Sequence, residues 1–241
     1  PPSLGIKACL DLWIVVLGFA ITAVAIPILA IFAHAKLQGT LYDFGKKVSP
    51  VFSTVYCMLI YVISIAIPSP RTAAVTHEMT VQPFFETTPL FTSVIYFILV
   101  FIFAINRTRV IGLIGKFLTP LIVITLLMVI GIGLFSSTME MNPATFETPI
   151  VNGILEGYQT FDAIGAVVVG AVIIISLNFK KEDTFEDRKT LIKKSGFIAG
   201  LGLFIIYAGL ISVGAFYGSE INVDTALSGD MQRANLLRGI S

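Results

Sequence analysis

Charge is scarce in this chain. Only 13% of its 241 residues are Asp, Glu, Lys or Arg, and 15 acidic side chains nearly cancel 16 basic ones. A balance this close to neutral leaves no broad electrostatic footprint for nucleic acid, so no nucleic-acid partner is expected. There are two histidines, His34 and His77, both at the ends of apolar runs, and neither His-Glu-x-x-His nor Gly-x-Ser-x-Gly occurs. An intramembrane enzyme would need such a catalytic set; none is assigned, and the chain is not read as an enzyme. The two cysteines, Cys9 and Cys57, sit in separate apolar stretches without metal-ligand or disulfide-framework spacing and read as core or lipid-facing residues. An ion channel would need a continuous polar lining, and the apolar runs offer only two acidic residues, Glu156 and Asp162, and scattered hydroxyls.

What the chain has in abundance is apolar surface: 56% of residues are hydrophobic and the mean hydropathy is +0.90. That places it among polytopic, all-α membrane proteins whose partner is the lipid bilayer. Runs long enough for a hydrocarbon slab of roughly 30 Å fall at 12–35, 51–76, 91–106, 110–135, 150–177 and 196–217. Residues 1–241 therefore read as one transmembrane domain of six spans. Alternate loops after the first, third and fifth spans hold 12 of the 16 basic residues, whereas 77–90 and 136–149 hold no Lys or Arg. The basic loops are expected on the cytoplasmic side, which puts 218–241 outside. The chain opens on Pro1-Pro2-Ser3 without a Met and already on the external side, so a preceding crossing is expected and the chain reads as partial. No repeat is visible within the six spans.

The fifth span contains a hole in its hydrophobicity. Gly157-Tyr158-Gln159-Thr160-Phe161-Asp162-Ala163-Ile164-Gly165 puts a carboxylate and two glycines inside the crossing. An ionisable residue at membrane depth costs at least about 2.5 to 3.5 kcal/mol on insertion scales, so it faces a cavity or a partner. Discontinuous helices with freed backbone groups are how many secondary transporters build sites near the midplane. Asp162 and Thr160 are candidates for coupling Na⁺ or H⁺, and both are candidate Na⁺ ligands; Asp162 equally suits the N-cap of a second half-helix. Gly157, Tyr158, Gln159, Thr160 and Phe161 are the candidate substrate-binding residues, Tyr158 being open to a second reading as a packed aromatic.

A second interruption, Ile67-Pro68-Ser69-Pro70-Arg71-Thr72, should kink the second span. Arg71 and Asp162 form a possible gating pair; Arg71 snorkelling to headgroups or pairing with Glu78 is the competing reading. Elsewhere, His34 reads as interfacial, His77 and Glu78 as a solvated helix end, 39–50 as a short amphipathic helix on the inner leaflet, 180–194 as a solvated loop and 231–239 as a short surface helix. Pro27 and Pro120 read as kinks tolerated in lipid, with Thr119 available for helix packing.

Pro1-Pro2, Gly18-Phe19-Ala20-Ile21-Thr22-Ala23-Val24 with Pro27, Pro70-Arg71-Thr72-Ala73, and Asn152-Gly153-Ile154-Leu155-Glu156-Gly157-Tyr158-Gln159-Thr160-Phe161-Asp162-Ala163 together resemble the bacterial branched-chain amino acid:cation symporters of the BrnQ type. The resemblance covers nearly the whole chain in the same order. It implies uptake of leucine, isoleucine and valine across the bacterial inner membrane, driven by Na⁺ or H⁺ and without another cofactor, by a helix bundle that is part of a LeuT-like inverted-repeat fold. The six spans would then be helices two to seven, residues 1–10 the outer half of helix one, and the interrupted crossing the discontinuous sixth helix. Gln159 and Phe161 stand where the resemblance leads one to expect aliphatic residues. A carrier of the same fold for another small amino acid or organic cation is the alternative.

Overall fold

A computed structural model describes residues 2–8, 11–82, 84–85, 87–105, 112–136, 146–178 and 184–217. Every regular element among the described residues is helical. Five helices are long and apolar enough to cross a membrane: Leu12–Leu37, Pro50–Thr76, Ile114–Phe135, Pro149–Ile175 and Phe185–Phe216. The run expected at 91–106 is the shorter apolar helix Pro89–Ile105. This is a multi-pass membrane protein. We label the helices α1 (Pro2–Ala8), α2 (Leu12–Leu37), α3 (Leu41–Lys46), α4 (Pro50–Ala66), α5 (Pro68–Thr76), α6 (Pro89–Ile105), α7 (Ile114–Phe135), α8 (Pro149–Tyr158), α9 (Asp162–Asn178) and α10 (Phe185–Tyr217).

The chain divides into two compact units, one made of Asp11–Pro68 with Thr145–Ala208, the other of Pro1–Leu10, Ser69–Ala144 and Gly209–Ser241. In the first, α2 is the most enclosed helix: 44% of its apolar window is buried, against 6–17% for the other four long helices. Helix α8 packs on its first half and α9 on its second. The first contact is close because both surfaces carry glycine. A Cβ at Gly18 would strike the Ile150 carbonyl, one at Gly153 the Val15 carbonyl, and one at Gly157 the Thr22 hydroxyl and Phe19 carbonyl. Only hydrogen fits there, and the two backbones touch along successive turns. Midway along α2 the ladder widens into a π turn, Ile21–Ala25, ahead of Pro27, whose missing N–H cannot bond back to the preceding turn.

At the far end of α2, Gln38 turns the chain with φ 46°, and α3 begins with a capping box between Thr40 and Asp43. The amphipathic helix expected over 39–50 is thus only six residues long. Ser53 of α4 donates to the Tyr42 carbonyl at 2.5 Å, which ties α3 to α4.

In the other unit, α1 and α7 bury the end of α10. Ile211, Val213 and Ala215 are closed off together with Leu4 and Ala8. Gly5 lies against the Ile211 carbonyl, Gly133 against Val213, and Gly209 against Ile130. Pro120 is again preceded by a π turn, Ile114–Leu118, and the Thr119 hydroxyl donates to the Ile114 carbonyl at 2.9 Å. That side chain adds a second donor to a carbonyl already bonded by the Thr119 amide.

Several expectations are corrected. His34 is buried, not interfacial: its Nε2–H donates to the Val167 carbonyl at 2.9 Å, its ring meets Phe44 edge-on, and Gly170 leaves room for it. His77 is not a solvated end but is buried, sharing a 2.8 Å hydrogen bond between Nδ1 and Thr92 Oγ1 of α6. The stretch 180–194 is helical from Phe185, because Thr184 accepts from the Asp187 amide at 3.3 Å and starts α10 early. An exposed Lys189–Glu186 pair one turn apart supports it. Cys9, Lys180, Lys181, Arg107, Arg109 and the 218–241 segment with its expected 231–239 helix lie outside the described residues.

Replacing Gly153 by Ala should cost about 1 to 3 kcal/mol through overpacking against the Val15 carbonyl, seen as a lower thermal unfolding midpoint in detergent. Gly165→Ala, where a Cβ meets nothing within 4 Å, should leave that midpoint equal or higher. The Thr40 hydroxyl and then the Thr40 amide, at 2.7 and 2.8 Å, hold the Asp43 carboxyl below its ordinary range. Its folded value being the lower one, the cap contributes fully above about pH 4 and is lost as pH falls through the depressed value. Amide exchange across α3, corrected for intrinsic rates, should accelerate on acidification in the native chain and lose that dependence in Asp43→Asn.

Candidate functional site

Helix α8 starts with Pro149 in its first turn and ends at Tyr158, and the reason is local. The Thr160 amide bonds the Gly157 carbonyl at 3.3 Å, and the Thr160 hydroxyl donates to the same oxygen at 2.8 Å. A threonine that serves the backbone in this way competes with continuation of the helix. Phe161 then takes φ 60°, a left-handed conformation that a bulky residue adopts at a cost of about 1 to 2 kcal/mol. From Asp162 the chain is helical again, the first intrahelical bond being Gly165 N–H to the Phe161 carbonyl at 2.9 Å.

This geometry leaves main-chain polar groups of both signs side by side. No backbone donor among the described residues reaches the carbonyls of Gln159 and Thr160. The amides of Ala163 and Ile164 stay open in the first turn of α9, while that of Asp162 reaches Thr160 Oγ1 at 3.5 Å. The helix dipoles add to this, with the negative end of α8 and the positive end of α9 meeting at the same three residues. Strain of the kind held at Phe161 is retained where surrounding structure over-determines it, and such places concentrate at functional sites.

Asp162 is half-buried and is the first residue of α9; Phe161 holds the cap position that the sequence assigned to the aspartate. The Asp162 carboxylate accepts from the Tyr207 hydroxyl of α10 at 2.6 Å through Oδ2. Thr160 Oγ1 accepts from the Asp162 amide at 3.5 Å. The Tyr207 ring meets Phe19 of α2 edge-on, centroids 4.9 Å apart. Thr22, on the same face of α2, is buried and donates to the Ile154 carbonyl at 3.0 Å.

The candidate substrate residues do not share one environment. Gly157 is buried against Phe19 and Thr22, Thr160 and Phe161 are half-buried, and Gln159 and Tyr158 are exposed. Tyr158, 68% exposed, is not the packed aromatic that one reading of the sequence held open. Arg71 lies in α5, beside a groove formed with Thr72, Val75, Thr76 and Thr80. Thr160 and Asp162 present hydroxyl and carboxylate oxygens, the hard donors that suit an alkali cation or a proton.

Sequence reasoning missed Thr22, Phe19 and Tyr207. The signal for the α2 contact was present as Gly153-x-x-x-Gly157, a small-residue pair one turn apart on α8. Tyr207 had no such marker: its hydroxyl is one among several in an apolar run.

A family model described as "Branched-chain amino acid transport protein" matches residues 1–233. The chain is 32% identical over 224 residues to the branched-chain amino acid permease BraB of Bacillus subtilis (strain 168), covering 89% of this chain and 50% of that protein. It is 31% identical over 225 residues to the branched-chain amino acid transport system 2 carrier protein of Pseudomonas aeruginosa, covering 89% and 51%. The chain thus spans about half the length of the curated relatives it matches. No solved structure matches it significantly.

Thr22→Val keeps the shape of the side chain and removes the hydroxyl, which donates to the Ile154 carbonyl at 3.0 Å and lies 3.3 Å from that of Phe19. It should lower stability by about 1 kcal/mol, read as a fall in the thermal midpoint, and Thr22→Ser should restore most of it.

Proposed function

Because this chain belongs to the branched-chain amino acid transport protein family, we propose that it is part of a secondary carrier that takes up leucine, isoleucine and valine across a bacterial cell membrane, coupled to Na⁺ or H⁺. The observation that carries this reading is the open backbone at residues 159–161, where a carboxylate, a hydroxyl and main-chain groups of both signs converge. An amino acid is a zwitterion, and this arrangement supplies a partner for each of its charges. Amides in the first turn of α9 meet the substrate carboxylate, and the carbonyls that end α8 meet its ammonium.

Gly157, Tyr158, Gln159, Thr160 and Phe161 form the substrate contact in this reading. Gly157 lets the backbone lie against α2, and the carbonyls and side chains after it face the cargo. Thr160 and Asp162 hold the coupling cation. The aliphatic end of the substrate enters an apolar pocket that discriminates by only about 1 to 3 kcal/mol per methylene, so one carrier serves all three substrates. The break itself corresponds to the discontinuous sixth helix of a LeuT-like inverted-repeat transporter, in which a bundle rocks against a scaffold to alternate access.

Full-length protein in liposomes should accumulate labelled leucine when a Na⁺ or a pH gradient is imposed, and unlabelled isoleucine and valine should compete. Absence of leucine-dependent flux under both gradients would remove the reading.

A further inference from the structure

We infer that Tyr207 is a positioning residue for the coupling cation, fixing the Asp162 carboxylate in the orientation that receives it. This rests on the proposed transport reading and adds a residue from a different helix, 45 positions away in sequence.

The argument is geometric. A carboxylate at the first residue of a helix, following a left-handed residue, has two free side-chain torsions and no cap geometry of its own. Its one side-chain partner among the described residues is the Tyr207 hydroxyl, at 2.6 Å from Oδ2. The hydroxyl is itself held in place. The ring that carries it is braced edge-on by Phe19, which is almost fully buried on α2, and it sits within a helix of 33 residues. The Thr160 hydroxyl is oriented separately, by the Gly157 carbonyl at 2.8 Å. The carboxylate is thus held from α10 by Tyr207, and Tyr207 is braced from α2 by Phe19, neither of them bringing a charge.

The chemistry of this arrangement is asymmetric. A tyrosine hydroxyl donates one hydrogen and brings no charge, so it occupies one lone pair on Oδ2 and leaves Oδ1 available, with the negative charge intact. A lysine or arginine in the same place would neutralise the carboxylate and exclude a cation. Tyr207 orients the anion without competing for its charge. Preorganisation of this kind lowers the cost of binding because the ligand oxygens need not be ordered when the ion arrives.

Tyr207→Phe tests this, since it keeps the ring and its contact with Phe19 and deletes only the donor. In full-length protein reconstituted into liposomes, the Na⁺ concentration giving half-maximal leucine uptake should rise about tenfold, the order expected when one charge-assisted hydrogen bond is lost. If protons drive uptake instead, the pH of half-maximal uptake should shift by about one unit. The KM for leucine at saturating cation should stay within twofold, and the thermal midpoint should barely move. A merely structural role would lower the midpoint or the maximal rate and leave the cation dependence where it was; that result overturns the inference. A change in leucine KM alone also overturns it, by placing Tyr207 against the substrate. Failure of the native protein to carry leucine at all is a separate outcome, which removes the transport reading before Tyr207 is tested.

Discussion

The close approach of α8 to α2 is the constraint on which the rest of the site depends. Two helices whose contact surfaces carry Gly18, Gly153 and Gly157 meet backbone to backbone, and nothing larger than hydrogen fits at those positions. In a membrane the lipid tails are as apolar as any side chain, so helix association relies on close contact and on hydrogen bonds more than on hydrophobic burial. Here both are present: the glycines admit the backbone of α2, and Thr22 of α2 donates to the Ile154 carbonyl of α8. The end of α8 is thereby fixed to the most enclosed helix of its unit. Residues 159–161 then decide where α8 stops and how the chain enters α9.

Those three residues show how a membrane chain leaves its helical ladder. An open peptide group in hydrocarbon costs several kcal/mol, which is why non-helical backbone at membrane depth occurs where it is enclosed by protein or lines a cavity. The left-handed Phe161 adds its own strain. The neighbouring groups offset part of the cost: the Thr160 hydroxyl bonds the Gly157 carbonyl, and the Asp162 carboxylate meets Tyr207. What is left over is a small set of carbonyls and amides with opposite polarity. A remainder of both polarities in an otherwise apolar setting is what the proposed binding of a zwitterion rests on.

Much of this could be read from residue patterns, and the reasons for the exceptions are physical. The membrane class comes from composition, and the long helices come from apolar runs set against a slab of known thickness. The family emerged from four segments in register. The dense polar insertion around Asp162 stood out because apolar flanks make any carboxylate conspicuous. What the pattern could not give was partnership across helices. At span ends His34 looked interfacial and His77 solvated, yet each is enclosed by another helix, through Val167 in one case and Thr92 in the other. Neither contact has a sequence period, because each joins residues 15 or more positions apart. The start of α10 was misjudged for a different reason. Charge density around 180–194 reads as solvation, but a solvated stretch with a Thr184 cap and charges one turn apart forms a helix as readily as a loop.

The most direct test of the account is backbone amide exchange across residues 159–165 of the full-length protein in a membrane mimetic, monitored with and without leucine and the driving cation. The account predicts faster exchange there than in the flanking turns of α8 and α9, and marked slowing only when leucine and the cation are both present. Exchange as slow as in the flanking helices, and unmoved by leucine, would mean that this backbone is closed and that the cargo binds elsewhere.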